Sequence, residues 1–117
     1  MTADDFRRLA LSFANTEERA HMNHPDFRVN GKIFATLGYP NAERAMVKLP
    51  PEQQANFVKA EPDSFVPVNG AWGRQGCTSV ILRAAKKTMV RKALEEAWKA
   101  NDPGTAPRSK PKRNRLQ

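Results

Sequence analysis

Apolar residues recur at helical spacing at both ends of the first hundred residues. The first stripe has the spacing i, i+3, i+4 and i+7 and consists of Phe6, Leu9, Ala10 and Phe13. It predicts a helix over residues 2–14, for which Thr2 is a suitable N-cap. A second stripe predicts a final helix over residues 85–101 and consists of Val90, Ala93, Leu94, Ala97 and Trp98.

The chain between residues 17 and 49 has the alternating pattern and the turn residues of antiparallel strands. Asn30-Gly31 is the strongest signal, because both central positions of a type I′ hairpin turn need a positive φ. Residues 18–22 alternate only weakly, and the three predicted strands occupy residues 27–29, 32–37 and 44–49.

Prolines and glycines divide the next segment. Pro50-Pro51-Glu52 predicts the start of a short helix, and Glu61-Pro62 predicts its end. An extended piece follows at residues 65–68, where Pro67 indicates a sheet edge. A Gly-rich loop and a further strand are predicted for residues 69–76 and 78–82.

These elements predict an α+β fold with two layers, in which helices lie on one face of a single antiparallel sheet. The predicted order is α-β-β-β-α-β-β-α, contained in one domain over residues 1–101. Residues 102–117 hold five cations, one anion and three prolines. Such a composition cannot bury enough apolar surface to offset its ordering entropy, so we expect a disordered basic tail.

Composition excludes several classes of protein. The 117 residues carry a formal net charge of +8, and no run approaches the ~20 apolar residues of a membrane span. The first residues lack the apolar core of a secretory signal. Cys77 is the only cysteine, which excludes an intramolecular disulfide. These features predict a cytoplasmic protein without a membrane partner.

Candidate catalytic and metal-binding groups are few. Gly70, Gly73 and Gly76 have the wrong spacing for a dinucleotide fingerprint. His21 and His24 are three residues apart, so on one strand they would point to opposite faces, which favours a hydrogen-bonding role over metal binding. Cys77 is expected to be a small buried hydrophobe. The sequence therefore predicts no enzyme activity, no cofactor and no metal.

Clustered cations point instead to phosphate binding, which strengthens with the number of phosphates neutralised. Three clusters qualify: the Asn30-Gly31 hairpin, the segment from residue 83 into the last helix, and the tail. Trp72 and Arg74 in the Gly-rich loop are a further candidate pair, although packing of Trp72 over the sheet is favoured. The candidate nucleic-acid-binding residues are Arg28, Lys32, Arg74, Arg83, Lys86, Lys87, Arg113 and Arg115. Each also has an ordinary interpretation as solvated surface charge.

Four segments, in order, resemble the MmcQ/YjbR-like family. They are residues 24–35 with His-x-x-Phe and Gly-Lys-x-Phe-Ala, residues 47–52, residues 66–78 and residues 93–98. The resemblance covers nearly all of residues 2–101 and implies a two-layer fold with a double wing of hairpins proposed to embrace DNA. Gly31, Lys32, Trp72, Gly73 and Gly76 match family positions.

Two hypotheses about function follow. The first is a non-enzymatic DNA-binding protein that contacts backbone phosphates through the hairpin, the start of the last helix and the tail. RNA remains an open ligand, since phosphate attraction is common to both nucleic acids. The second is a protein- or peptide-binding module of secretion-chaperone-like fold, in which short edge strands accept a partner strand and basicity suits an acidic protein.

Overall fold

The computed structural model describes residues 1–38 and 41–101, and ten helices and strands follow one another along them. They are α1 (Ala3–Leu11), β1 (Thr16–His21), β2 (His24–Val29), β3 (Lys32–Leu37), β4 (Arg44–Lys48), α2 (Pro51–Ala60), β5 (Phe65–Pro67), α3 (Ala71–Arg74), β6 (Cys77–Ile81) and α4 (Lys87–Asn101). The predicted tail, with Arg113 and Arg115, lies outside the described residues.

The six strands form one antiparallel sheet in the order β1-β2-β3-β4-β6-β5. The predicted α+β class and the single antiparallel sheet are confirmed. The predicted order differs in two places. Four strands rather than three precede α2, and the Gly-rich segment contains the four-residue helix α3.

The core lies between α1, α2, α4 and one face of the sheet. Phe6 of α1 packs on Phe27 of β2 with ring centroids 6.1 Å apart, and Phe57 of α2 packs on Phe65 of β5 at 5.2 Å. The apolar stripe of α4 is buried as predicted, at Val90, Ala93, Leu94 and Ala97. Burial of these side chains supplies the main driving force for folding.

Local signals place the start of each of the first two helices. The Thr2 hydroxyl accepts a hydrogen bond from the Asp5 amide, and the Asp5 carboxylate accepts one from the Thr2 amide, which forms a capping box. This backbone hydrogen bond from Thr2 lowers the pKa of Asp5 to about 2. Pro51 occupies the first turn of α2, where its missing N–H is not needed.

Two hairpins have turns with paired positive φ angles. Asn30 and Gly31 have φ of 49° and 85°, which confirms the turn between β2 and β3. Met22 and Asn23, with φ of 50° and 66°, join β1 to β2. The second turn was not predicted, because Met is unfavourable at positive φ and the pair contains no glycine.

Candidate ligand-binding groove on the helix-free sheet face

Strand alternation assigns one row of side chains to the face of the sheet that the core helices leave uncovered. Phe27, Ala35, Val47 and Val80 point into the core, so the residues between them point the other way. The strand register aligns these residues across all six strands, in the order Arg19, Asp26, Thr36, Met46, Ser79 and Val66.

An open groove of about 740 Å³ is lined by four members of this row, Thr36, Met46, Ser79 and Val66. Thr36, Met46 and Ser79 form the middle of its floor. One wall comes from the β1–β2 hairpin and consists of His21, Met22 and His24. The opposite wall comes from β5 and the segment leading into α3 and consists of Val66, Pro67, Val68, Asn69 and Trp72. Arg44 and Cys77 also line the groove.

Two hydroxyl groups on the groove floor have no hydrogen-bond partner among the described residues. Thr36 is only 5% exposed and Ser79 only 6%, yet neither side chain donates to or accepts from another described group. A buried hydroxyl without a partner is costly, and such groups in native proteins are usually satisfied by water or a ligand. These two hydroxyls give the groove unused hydrogen-bonding capacity.

Asp26, in the same row, is fully buried and fully paired. Its Oδ1 accepts a hydrogen bond from Arg28 Nε at 2.8 Å, and its Oδ2 accepts one from Arg28 Nη2 at 3.1 Å. Its Oδ2 also lies 2.8 Å from Nδ1 of His21. The hydrogen bonds from Arg28 lower the pKa of Asp26, and the same contact raises the pKa of Arg28.

The expectation that His21 and His24 point to opposite faces is wrong. The Met22-Asn23 turn places them on adjacent strands as direct cross-strand partners, so both side chains lie on the helix-free face. The hydrogen-bonding role favoured for the histidines agrees with the position of His21, whose Nδ1 lies within hydrogen-bonding distance of the Asp26 carboxylate. Within residues 1–38 and 41–101, no group of three side chains has the composition and spacing of a metal site.

Three cations near the groove lack a carboxylate partner in the described part of the chain. Arg44 and Lys48 flank Met46 on β4, and both point to the helix-free face about 13 Å apart along the strand. Arg74 is exposed on α3. Arg74 was predicted from the sequence, whereas Arg44 and Lys48 were not, although their alternation with Met46 along β4 is visible in the sequence.

Trp72 stands exposed at the rim of the groove, with 65% of its surface accessible. Packing of Trp72 over the sheet, the interpretation favoured from the sequence, is therefore wrong. The other tryptophan, Trp98, stacks on Phe13 with centroids 5.5 Å apart, and its Nε1 donates to the Ala14 carbonyl at 2.9 Å. Trp72 has no described hydrogen bond or ring contact that would account for a structural role.

A smaller cleft of about 200 Å³ adjoins the groove and shares Trp72 and Cys77 with it. The Asn101 side chain donates to the Lys48 carbonyl at 3.2 Å, so the end of α4 lies at the Lys48 side of this cleft. Burial raises the pKa of the Cys77 thiol, which favours the protonated form.

The remaining predicted binding residues lie elsewhere, and most have acidic partners. Lys86 is 3.6 Å from Glu61, and Lys87 is 3.6 Å from Asp5. These carboxylates compensate the unfavourable position of two lysines at the positive end of the α4 dipole. Arg83 lies 3.8 Å from Glu43.

The two hairpin cations are separated by the sheet. Arg28 lies on the helix-free face, bound to Asp26, whereas Lys32 is opposite Val29, whose side chain points to the core face. Lys32 is exposed at the hairpin tip, without a described acidic partner. The cations chosen from the sequence therefore do not form one surface.

The family model for YjbR matches residues 11–100. The chain belongs to the YjbR family. The match includes all the residues that line the groove, from His21 to Ser79. It confirms the resemblance seen in the sequence.

The fold is also similar to a solved structure. The crystal structure of Deinococcus radiodurans protein DR2400, with the family-model domain DUF419, superposes with a TM-score of 0.72 at 17% identity, covering 91% of this chain and 83% of that one. This likeness to another YjbR-type chain shows the fold alone. A search of curated proteins found no match. None of the described helices is long and apolar enough to cross a membrane.

Proposed function

We propose that this YjbR family protein binds DNA by holding the phosphate backbone against the helix-free face of its sheet. The observation that carries the proposal is a set of three cations without described carboxylate partners. Arg44 lines the groove, Lys48 lines the adjoining cleft, and Arg74 is exposed on α3, two residues after Trp72 at the groove rim. Cations free of internal partners can displace counterions from phosphates, and this displacement is the main source of sequence-independent affinity.

The distribution of acidic groups favours this face over the start of α4. Lys86 and Lys87 already face Glu61 and Asp5, so a phosphate there would compete with a carboxylate. On the helix-free face the buried carboxylate of Asp26 is neutralised by Arg28. A strand of DNA along the groove therefore meets a net positive surface.

The tail extends the proposed contact, whereas Lys32 at the tip of the β2–β3 hairpin projects from the core face and does not contribute to it. Residues 102–117 follow Asn101, which is anchored beside Lys48, and carry five cations against one anion. Contacts of this kind position a protein on DNA without reading its sequence. We therefore propose mostly non-specific binding, without an enzyme activity.

Both sheet edges are poor sites for the competing peptide-binding function. The edge strand β5 has three residues and includes Pro67, which lacks a backbone donor. The other edge strand, β1, carries Glu17, Glu18 and Arg19, and charged side chains on an edge discourage strand addition.

Matched charge-neutralised variants of the full chain test the proposal. The first is Arg44→Gln with Lys48→Gln, and its control is Lys86→Gln with Lys87→Gln, which removes the same charge from the start of α4. A third variant replaces the five tail cations by glutamine. Binding of a labelled DNA oligonucleotide is measured by fluorescence anisotropy from low to near-physiological salt.

We expect the first variant to lose affinity and to flatten the dependence of log K on log salt by about 1.4 to 1.8, the contribution of two phosphates. The control should change the slope by less than half of that. If the control flattens the slope and the first variant does not, the contact lies at α4. If only the tail variant has an effect, or wild type does not bind, the proposed role of the groove is wrong.

A further inference from the structure

We infer that the groove receives an unpaired nucleobase, so that the preferred ligand is single-stranded nucleic acid. The inference rests on the proposed function and assigns a ligand to the floor of the same site. It is carried by a separate observation, the two buried hydroxyls that have no partner within residues 1–38 and 41–101, which phosphate attraction alone does not explain.

The hydroxyls of Thr36 and Ser79 are placed to contact opposite ends of a flat polar group that lies between them. They lie in one row on β3 and β6, with Met46 of β4 between them, so two strand spacings separate them by about 10 Å. Each hydroxyl can donate and accept, and a base edge offers donors and acceptors in alternation. A bound base would satisfy two hydroxyls, in residues 5% and 6% exposed, that have no partner in the described part of the chain.

The groove walls suit the faces of a base. Trp72, 65% exposed, offers an aromatic surface at the rim, Val66 adds apolar contact on the same wall, and Met46 adds it on the floor. Stacking of a base on an aromatic side chain contributes about 1–3 kcal/mol, whatever the base. A volume of about 740 Å³ lies in the range of sites that bind small molecules.

The neighbouring cations suit the backbone on either side of that base. Arg44 and Lys48 lie on the same strand as Met46, one on each side, so they can contact phosphates that precede and follow the inserted nucleotide. A duplex keeps its bases stacked and paired, and extruding one costs a few kcal/mol. A single strand offers the base without this cost, so it should bind more tightly than a duplex of the same sequence.

The experiment uses the full chain, a labelled single-stranded DNA of about 12 nucleotides, the same strand with abasic sites at every position, and the corresponding duplex. Thr36→Val and Ser79→Ala remove the hydroxyls with little change in shape. Trp72→Leu removes the stacking surface. Glu52→Gln on the exposed side of α2 serves as the control variant.

We expect wild type to bind the base-bearing strand at least about tenfold more tightly than the abasic strand or the duplex. Each hydroxyl variant should lower affinity for the base-bearing strand by about 3- to 10-fold and leave the abasic strand unchanged. Equal affinity of wild type for the strands with and without bases would overturn the inference while leaving phosphate binding intact. Absence of binding to every DNA would overturn the proposed function as well.

Thermal unfolding of the same variants gives a second test. If the Thr36 and Ser79 hydroxyls have no internal partners, Thr36→Val and Ser79→Ala should unfold at the wild-type temperature or above it, because no internal hydrogen bond is lost. A clear fall in unfolding temperature for both variants would show that the hydroxyls are used within the fold, and the inference would fail.

Discussion

Nδ1 of His21 lies 2.8 Å from Oδ2 of Asp26, a carboxylate with no solvent-exposed surface. Arg28 donates two further hydrogen bonds to the same carboxylate. The three residues join the edge strand β1 to β2 and fix the ring of His21 as part of the groove wall. Asp26 therefore links the stability of the sheet edge to the shape of the proposed site.

Replacing Asp26 with asparagine should destabilise the fold. The amide is neutral and offers one acceptor oxygen, so it cannot reproduce the paired contacts with Arg28 and His21. We expect a loss of about 2 kcal/mol in the free energy of unfolding at pH 7, measured by urea denaturation. Wild-type stability in this variant would show that the pairing contributes nothing net.

The same carboxylate predicts a dependence of stability on pH. The pKa of Asp26 is lower in the folded protein than the value near 3.9 in the unfolded chain, so the ionised form stabilises the fold above about pH 4. This contribution is lost as the pH falls through the folded pKa. Between pH 5 and pH 2, Asp26→Asn should therefore lose less stability than wild type. Parallel curves for the two proteins would contradict the assignment.

Close backbone contact at Gly76 predicts a large effect of a single methyl group. A Cβ at this position would overlap the carbonyl oxygen of Leu49, and the φ of +112° is unfavourable for other residues. We expect Gly76→Ala to cost at least about 3 kcal/mol in unfolding free energy. Gly31→Ala is the matched control, because Gly31 also has a positive φ but open space around its Cβ position, and it should cost about 1 kcal/mol. Equal costs would show that overlap at Leu49 is relieved by a small shift.

The two tryptophans should report different parts of the molecule. Trp98→Phe leaves Trp72 as the single tryptophan, and Trp72→Phe leaves Trp98, so emission excited at a wavelength where tyrosine absorbs little comes from one residue in each variant. Since Trp72 is exposed and Trp98 is stacked on Phe13, iodide should quench the first variant's emission much more strongly. Saturating single-stranded DNA should then protect Trp72 from iodide and leave Trp98 unchanged. Protection of Trp98 alone would place the ligand near α1 and α4 instead.

Much of the fold is predictable because its signals are local. The apolar stripe of α4, the prolines around α2 and the Asn30-Gly31 turn each identify an element from a few neighbouring residues. The Met22-Asn23 turn carries no such signal, since its conformation is imposed by the pairing of β1 with β2. The pairing of His21 with His24 could not be foreseen without it.

The candidate site was harder to predict because it depends on pairing between distant residues. Cation clusters in the sequence pointed to Lys86 and Lys87, but their carboxylate partners, Glu61 and Asp5, are far away along the chain. Arg44 and Lys48 are not adjacent in sequence to other cations, so a search for clustered cations does not identify them. Only the strand register places them beside the unpartnered hydroxyls.

The most direct test of the central claim is an NMR titration of the isotope-labelled full chain with single-stranded DNA. The account predicts that the largest backbone amide shifts occur along the groove, at Thr36, Met46, Ser79 and Trp72, with small shifts along α1 and α4. Largest shifts at Lys86 and Lys87, with the groove unchanged, would contradict it.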